Sequence, residues 1–232
     1  MSLKRFRCGG WSGYVAEQFA GKVGVLLNAC GEALPYGRGA SESILVDGER
    51  FVRKVLRRGG VLGTVLGEMC GGPTKLLRPL RLLPHLENAG IEVASPSLVA
   101  WRRRRLAFKL LTATRFVEGC DLLDTDEEGV WVDAAHLALT LSAAGLHHCD
   151  FHPRNIRVKK DGGVVLLDLE DLRRGCRDAV LLMWRRLGRF LIKHGHWARK
   201  ERLWLLGVEA LGQSAAWQRR QLLLEAAAHL LT

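Results

Sequence analysis

The segment Gly145-Leu146-His147-His148-Cys149-Asp150-Phe151-His152-Pro153-Arg154-Asn155 constrains this chain more than any other. It sets Asp150 five positions before Asn155, and another carboxylate, Asp168, closes the next apolar run, Val164-Val165-Leu166-Leu167. A helical pattern from Val132 to Ala144, stopped by Gly145, leads into the segment. Asn155 to Val158, the turn Lys159 to Gly163, and Val164 to Leu167 follow it as a hairpin. Phosphoryl transfer from ATP needs a carboxylate that orients the acceptor hydroxyl, and an amide and a second carboxylate that hold Mg²⁺ against the phosphates. Asp150 suits the first role, Asn155 and Asp168 the second. Singly, each residue has a plainer use: an aspartate caps a turn, His152-Pro153 stiffens a loop, and an aspartate ends a strand. The three in this order, after a helix and across a hairpin, point to phosphotransfer. His148 is placed as an orienting hydrogen-bond partner within the loop, and His152 as either a brace or an acceptor contact.

The same order and the same Asp-to-Asn spacing occur in the protein-kinase catalytic loop. That chemistry asks for a lysine on a strand of the first half. Val52-Arg53-Lys54 supplies Lys54 on the same strand face as Val52. Left to itself, Lys54 with Arg53, Arg57 and Arg58 would be a solvated basic edge. The strands are legible as Ser43 to Val46 and Phe51 to Leu56 around Asp47-Gly48, then Ser97 to Trp101 and Leu106 to Thr114 around the basic turn Arg102 to Arg105. A helix over Lys75 to Ala89, closed by Gly90, lies between the two hairpins. Gly37-Arg38-Gly39 precedes the first and is a candidate phosphate cover through backbone N–H groups. Arg115 to Gly119 is a candidate hinge whose backbone near Val117 would pair with adenine. From Asp178 onward, apolar residues at helical spacing predict three helices, the last over Leu222 to Leu231. The fold expected is α+β, two-lobed and protein-kinase-like, with a strand-rich N-lobe over 1–117 and a helical C-lobe over 118–232.

With 232 residues and 48% apolar side chains the chain can bury a core of its own. No apolar run approaches the ~18 residues of a membrane span. The basic start, Met1 to Arg7, is followed by Cys8-Gly9-Gly10-Trp11-Ser12-Gly13 where a signal peptide would have its apolar region. The six cysteines form no C-x-x-C pair; reduced thiols and a cytoplasmic location are expected. A net charge of +11 favours anionic partners. No RNA-stacking motif accompanies it, so nucleic acid is not expected as a partner. Arg102 to Arg105 is most simply a solvated charge run, with contact to anionic lipid or phosphate as the alternative.

Gly37-Arg38-Gly39, the stretch Val52 to Gly60, His148-x-Asp150-x-x-x-x-Asn155 and Leu166-Leu167-Asp168-Leu169-Glu170 together resemble the lipopolysaccharide kinases, most closely their 3-deoxy-D-manno-octulosonic acid (Kdo) kinase branch. The resemblance runs from about Gly37 to Arg189. Its catalytic loop is shared with aminoglycoside and choline phosphotransferases, and the strand ending Arg57-Arg58-Gly59-Gly60 points to the Kdo branch. The resemblance implies ATP and Mg²⁺ as cofactors and phosphorylation of a Kdo hydroxyl on a lipid A precursor. It also implies a peripheral location on an anionic membrane surface, the cytoplasmic face of the inner membrane. Asp150 would be the catalytic carboxylate, Asn155 and Asp168 the metal ligands, and Lys54 the phosphate contact. The chain departs from the pattern twice. Pro79 stands where the helix should offer Lys54 a glutamate, with Glu68 and Glu87 the nearest acidic residues, and Glu170 replaces the usual Asp or Gly after the metal-binding Asp. A soluble small-molecule kinase and a pseudokinase binding anionic partners are the alternatives.

Overall fold

The structure is a computed structural model describing residues 2–34, 41–56, 69–105, 107–175 and 178–213. The chain is α+β and divides into two compact units, Met1–Arg81 with Ala94–Phe116, and Leu82–Val93 with Val117–Thr232.

The first unit is built on a twisted antiparallel sheet. Its strands are β1 (Leu3–Cys8), β2 (Trp11–Ala16), β3 (Glu32–Ala33), β4 (Ser41–Val46), β5 (Glu49–Val55), β6 (Met69–Cys70), β7 (Pro96–Arg104) and β8 (Ala107–Arg115). They lie in the order β1-β2-β7-β8-β5-β4-β3, with β6 also pairing to β8. The expected Asp47-Gly48 hairpin joins β4 to β5. Both turn residues have positive φ, 51° and 80°, the requirement of a type I′ turn, whose twist matches that of the strands.

The N-terminal hairpin β1–β2 has no counterpart in the sequence reading. Its turn is Gly9-Gly10, both at positive φ. Gly13 of β2 lies so close to β7 that a Cβ would come 2.1 Å from the Val99 carbonyl oxygen, so only glycine fits there. The second hairpin also differs from expectation. β7 carries Arg102 to Arg104 within the strand, paired with Lys109, Phe108 and Ala107, and the turn is tightened around Arg105, whose φ is +51°.

One face of this sheet buries Ile44, Phe51, Leu98, Leu111 and Ala113 under Phe19 and a short helix, α1 (Val23–Asn28), which contributes Leu26 and Leu27. The opposite face carries Val99 and Leu110, packed with Leu56, Leu76 and Leu80. The last two belong to α2 (Thr74–Asn88). This helix persists through Pro79 and Pro84 although each lacks the N–H of an interior hydrogen bond. It ends as expected. Gly90, at φ 68°, donates to Glu87 O and Ile91 donates to Leu86 O, which satisfies carbonyls left open at a helix end.

The second unit packs α3 (Glu128–Ala143), α4 (Ala179–Lys193) and α5 (Trp197–Gln213). α3 buries Trp131, Ala134, Ala138 and Leu141, and α4 buries Met183, Trp184, Leu187 and Leu191. Trp184 and Trp204 stack at 6.5 Å, and each indole N–H donates to the other's carbonyl at 3.3 Å. The third helix expected over Leu222 to Leu231 lies outside the described residues. Short strands complete the unit: β9 (Cys120–Asp121), β10 (Leu146–His148), β11 (Ile156–Val158), β12 (Val164–Leu166) and β13 (Leu172–Arg174). β11 pairs with β9 and β12, and β10 with β13. Among the described residues no helix is long and apolar enough to cross a membrane.

Candidate functional site

Two small sheets hold the loop that carries Asp150. β10 pairs with β13, His148 opposite Leu172, and the Cys149 N–H donates to Asp171 O at 3.0 Å. A 3₁₀ turn over Pro153–Asn155 then brings the chain into β11, with Pro153 supplying a backbone angle suited to a helical first turn.

Asn155 is buried, and it is committed on one side. Its Nδ2 donates to the Asp150 carbonyl at 2.9 Å, which ties the two ends of the loop together and turns the amide oxygen the other way. In the β11–β12 hairpin Ile156 lies opposite Leu166, and the Leu167 N–H donates to Asn155 O at 2.8 Å. Asp168 is therefore one residue beyond the backbone partner of Asn155, just past the end of β12.

Asp168 itself sits in the left-handed region, φ 55° and ψ 54°, a conformation that aspartate adopts more readily than most residues. His148 braces it. The imidazole is 1% exposed, and its Nε2 donates to the Asp168 carbonyl at 2.9 Å. Burial pushes its pKa below the ordinary histidine value, against the pull of that hydrogen bond. His148 thus positions the backbone of Asp168, and its Nδ1 is buried without a hydrogen-bond partner among the described residues. After Asp168, Glu170 is buried in a 3₁₀ turn, its carbonyl accepting from Arg173 at 2.8 Å.

The Asp150 carboxylate is held from two sides. Arg186 of α4 donates to Oδ1 through Nε at 3.0 Å and Nη2 at 2.5 Å. His152 Nε2 lies 3.5 Å from Oδ2. The His152 contact, opposed by partial burial and joined by the Arg186 hydrogen bonds, holds the carboxyl well below the usual carboxylate range. His152 in turn stacks on Phe190 at 4.6 Å, so α4 fixes both partners of Asp150.

Sequence reasoning missed Arg186. It is one basic residue of an amphipathic helix, and nothing in its local pattern marks it; only the pairing of α4 against the loop does. The other expected residues fall as follows. His148, Asp150, Asn155 and Asp168 are brought together within the second unit. Val117 is the first residue of that unit's second segment, next to Phe116, which ends the first unit. Lys54 belongs to the first unit, on β5 between Thr112 of β8 and Ser41 of β4. It shares the sheet face of Val99, Leu110 and the packed end of α2. Gly37, Arg38, Gly39 and Glu68 lie outside the described residues. Glu87 is exposed near the end of α2, and Pro79 is buried within it.

Among the described residues no three His, Cys, Asp or Glu side chains gather as a ready metal cage. A nucleotide-borne Mg²⁺ asks for less: it keeps waters and takes one or two protein oxygens plus the phosphates. The Asn155 amide oxygen and the Asp168 carboxylate are hard donors of that kind, at the open end of the β11–β12 hairpin.

The sequence model of the phosphotransferase enzyme family (APH) matches residues 94–223. That is more than half of the 232 residues, and the chain belongs to this family. The match takes in His148, Asp150, Asn155, Asp168 and Arg186, and begins downstream of Lys54. Comparison with curated proteins finds no match.

Proposed function

We propose that this phosphotransferase moves a phosphoryl group from ATP to a hydroxyl of Kdo on a lipid A precursor. The observation that carries the chemistry is the Asp150–Asn155–Asp168 arrangement. One carboxylate is kept ionised by His152 and Arg186, and two further oxygen donors sit on the adjoining hairpin. Asp150 orients the acceptor hydroxyl and accepts its proton as the phosphoryl group leaves ATP. With Oδ1 taken up by Arg186, Oδ2 is the oxygen that meets the hydroxyl, and His152 lines the same side. Asn155 and Asp168 would hold Mg²⁺, which supplies charge neutralisation on the phosphates. His148 keeps Asp168 in its left-handed turn. Lys54 would contact the phosphates, and backbone groups near Val117 the adenine. The Kdo acceptor is supported by the likeness of the Val52 to Gly60 stretch and the loop to lipopolysaccharide kinases, and by a net charge of +11, which favours an anionic glycolipid.

The test incubates purified protein with Mg-ATP and either a Kdo-bearing lipid A precursor or a panel of soluble aminoglycosides and amino-alcohols, following labelled phosphate. Transfer to the Kdo lipid is expected. Transfer to a soluble acceptor alone would replace the acceptor and keep the chemistry. Failure of the wild type to bind or turn over ATP would replace it with a pseudokinase.

A further inference from the structure

We infer that the end of the sheet where the β1–β2 and β7–β8 tips meet is a docking edge for an anionic bilayer, an inference that does not depend on which acceptor is phosphorylated. The sequence presents Arg102 to Arg105 as one isolated run. The fold adds a second group to it. Ser12 pairs with both Arg7 and Trp101, so the two tips project from the same end of the sheet. At that end Gly10 lies against the Arg102 side chain, a Cβ there falling 3.4 Å from Nε.

Arg5, Arg7, Arg103, Arg104 and Arg105 are exposed. Arg5, Arg7 and Arg103 share one sheet face, and Arg102 and Arg104 the other, so cations ring the tip instead of lying on one side of it. Residues 3–16 and 94–117 contain no Asp or Glu. The ion pairs seen between described residues of the first unit include Lys4–Glu17, Lys22–Asp47, Arg53–Glu42 and Arg115–Glu49, none of which involves an arginine of the two tips. A natural surface usually mixes both signs; two hairpins whose own residues carry no acid are complementary to a surface of one sign.

One feature favours a bilayer over nucleic acid. The nearby aromatics Tyr14, Trp101 and Phe108 are packed against the Val99–Leu110 cluster, so their faces are not offered to bases, which need open rings to stack. Half-buried Trp and Tyr beside arginines are side chains suited to headgroup depth.

The test is sedimentation of the full chain with vesicles of phosphatidylcholine containing a quarter phosphatidylglycerol, against phosphatidylcholine alone, at about 0.05 M salt and again at about 0.5 M. Binding to the anionic vesicles alone, and release as screening sets in, are expected. Each lost charge should weaken partitioning about fivefold. R103Q/R104Q/R105Q should therefore lose about a hundredfold, and R5Q/R7Q about twenty-five-fold. The charge-matched set R185Q/R189Q/K193Q, exposed on α4, should lose less than threefold. Equal losses from the α4 set would make the attraction one of net charge and overturn the docking edge. So would unchanged partitioning of the tip variant. Tip-dependent binding of duplex DNA or transfer RNA in preference to the vesicles would overturn the bilayer as the partner.

Discussion

Arg186 and Asp150 are joined by a two-nitrogen grip on one oxygen, Nε at 3.0 Å and Nη2 at 2.5 Å from Oδ1. The carboxylate is thereby ionised before any acceptor arrives, and only Oδ2 is left on the His152 side. A strongly held carboxylate is a weak base, but phosphoryl transfer has a loose transition state and asks more for orientation than for early proton removal.

Replacing Asp150 by Asn should lower kcat roughly 10² to 10⁴-fold, the range for a positioned acid–base group, with little change in Mg-ATP affinity. Near-normal turnover would remove Asp150 from the chemistry. Arg186→Gln should lower kcat less, and Arg186→Lys should recover only part, since one ammonium cannot reproduce the paired donors.

The same pair predicts an acid dependence of stability. The native pKa of Asp150 is depressed, so the stabilisation from its partners is present above the unfolded value of about 4 and is lost as pH falls towards the native one. The melting-temperature deficit of Arg186→Gln against wild type should stay constant down to about pH 4 and shrink as pH falls from there to about 2. An undiminished deficit at about pH 2 would mean that Arg186 stabilises by packing, not by charge.

For the metal, Asp168→Ala should weaken Mg-ATP binding more than Asn155→Ala, because a carboxylate contributes charge and an amide only an oxygen dipole. His148→Ala should also weaken it by freeing the left-handed turn at Asp168. Titration calorimetry in Mg²⁺ and in EDTA separates metal from nucleotide effects. Affinity unchanged in both Asp168→Ala and Asn155→Ala would refute the ligand assignment.

Much of this site was legible because its residues are close in sequence. The loop, the β11–β12 hairpin and the left-handed Asp168 are local structures whose signals, Gly145, Pro153 and Asp161-Gly162-Gly163, sit among the candidate residues themselves. Asp47-Gly48 and Gly90 announced a hairpin and a helix end for the same reason. Arg186 was not legible, since its meaning comes from a contact 36 residues away. The β1–β2 hairpin was hidden by a start that resembles a leader and by a glycine pair whose partner strand, β7, is remote in sequence. The extent of β7 was misjudged because arginines mimic a turn, whereas here cross-strand pairing to β8 carries the strand through them.

Lys54 tests the link between the strand-rich unit and the chemistry. Its place between Ser41 and Thr112 leaves it on the face that carries Val99 and Leu110. Lys54→Met should abolish turnover with little change in melting temperature, and one of Glu68→Gln or Glu87→Gln should reduce turnover comparably if another acid serves in place of the glutamate that Pro79 replaces. Retained activity in Lys54→Met would transfer the phosphate contact to another cation, Arg53 or Arg38.

The tie between α5 and the loop before α3 gives the last prediction. Lys200 is 1% exposed, yet its ammonium is satisfied: Nζ donates to Thr125 O at 2.6 Å and to Asp126 Oδ1 at 2.5 Å, and lies 5.8 Å from the Trp131 ring centroid. Arg199 adds a second contact to Asp126 at 2.9 Å. The hydrogen bonds from Lys200 and Arg199 lower the Asp126 pKa to about 2. Removing one partner of a buried charge is worse than removing the charge, because the survivor keeps its desolvation and loses its compensation. Asp126→Asn should therefore destabilise the chain more than Lys200→Met, whose side chain refills the space among α3 and α5 without a charge. The carboxylate's contribution is complete above about pH 4 and fades as pH falls through about 2, so the deficits of Asp126→Asn and of Lys200→Met should both shrink over that interval, since protonation of Asp126 removes the pairing from the wild type. Thermal melts of the two variants across that range decide it: a larger loss from Lys200→Met at neutral pH would make the ammonium a net stabiliser and overturn this account of the tie.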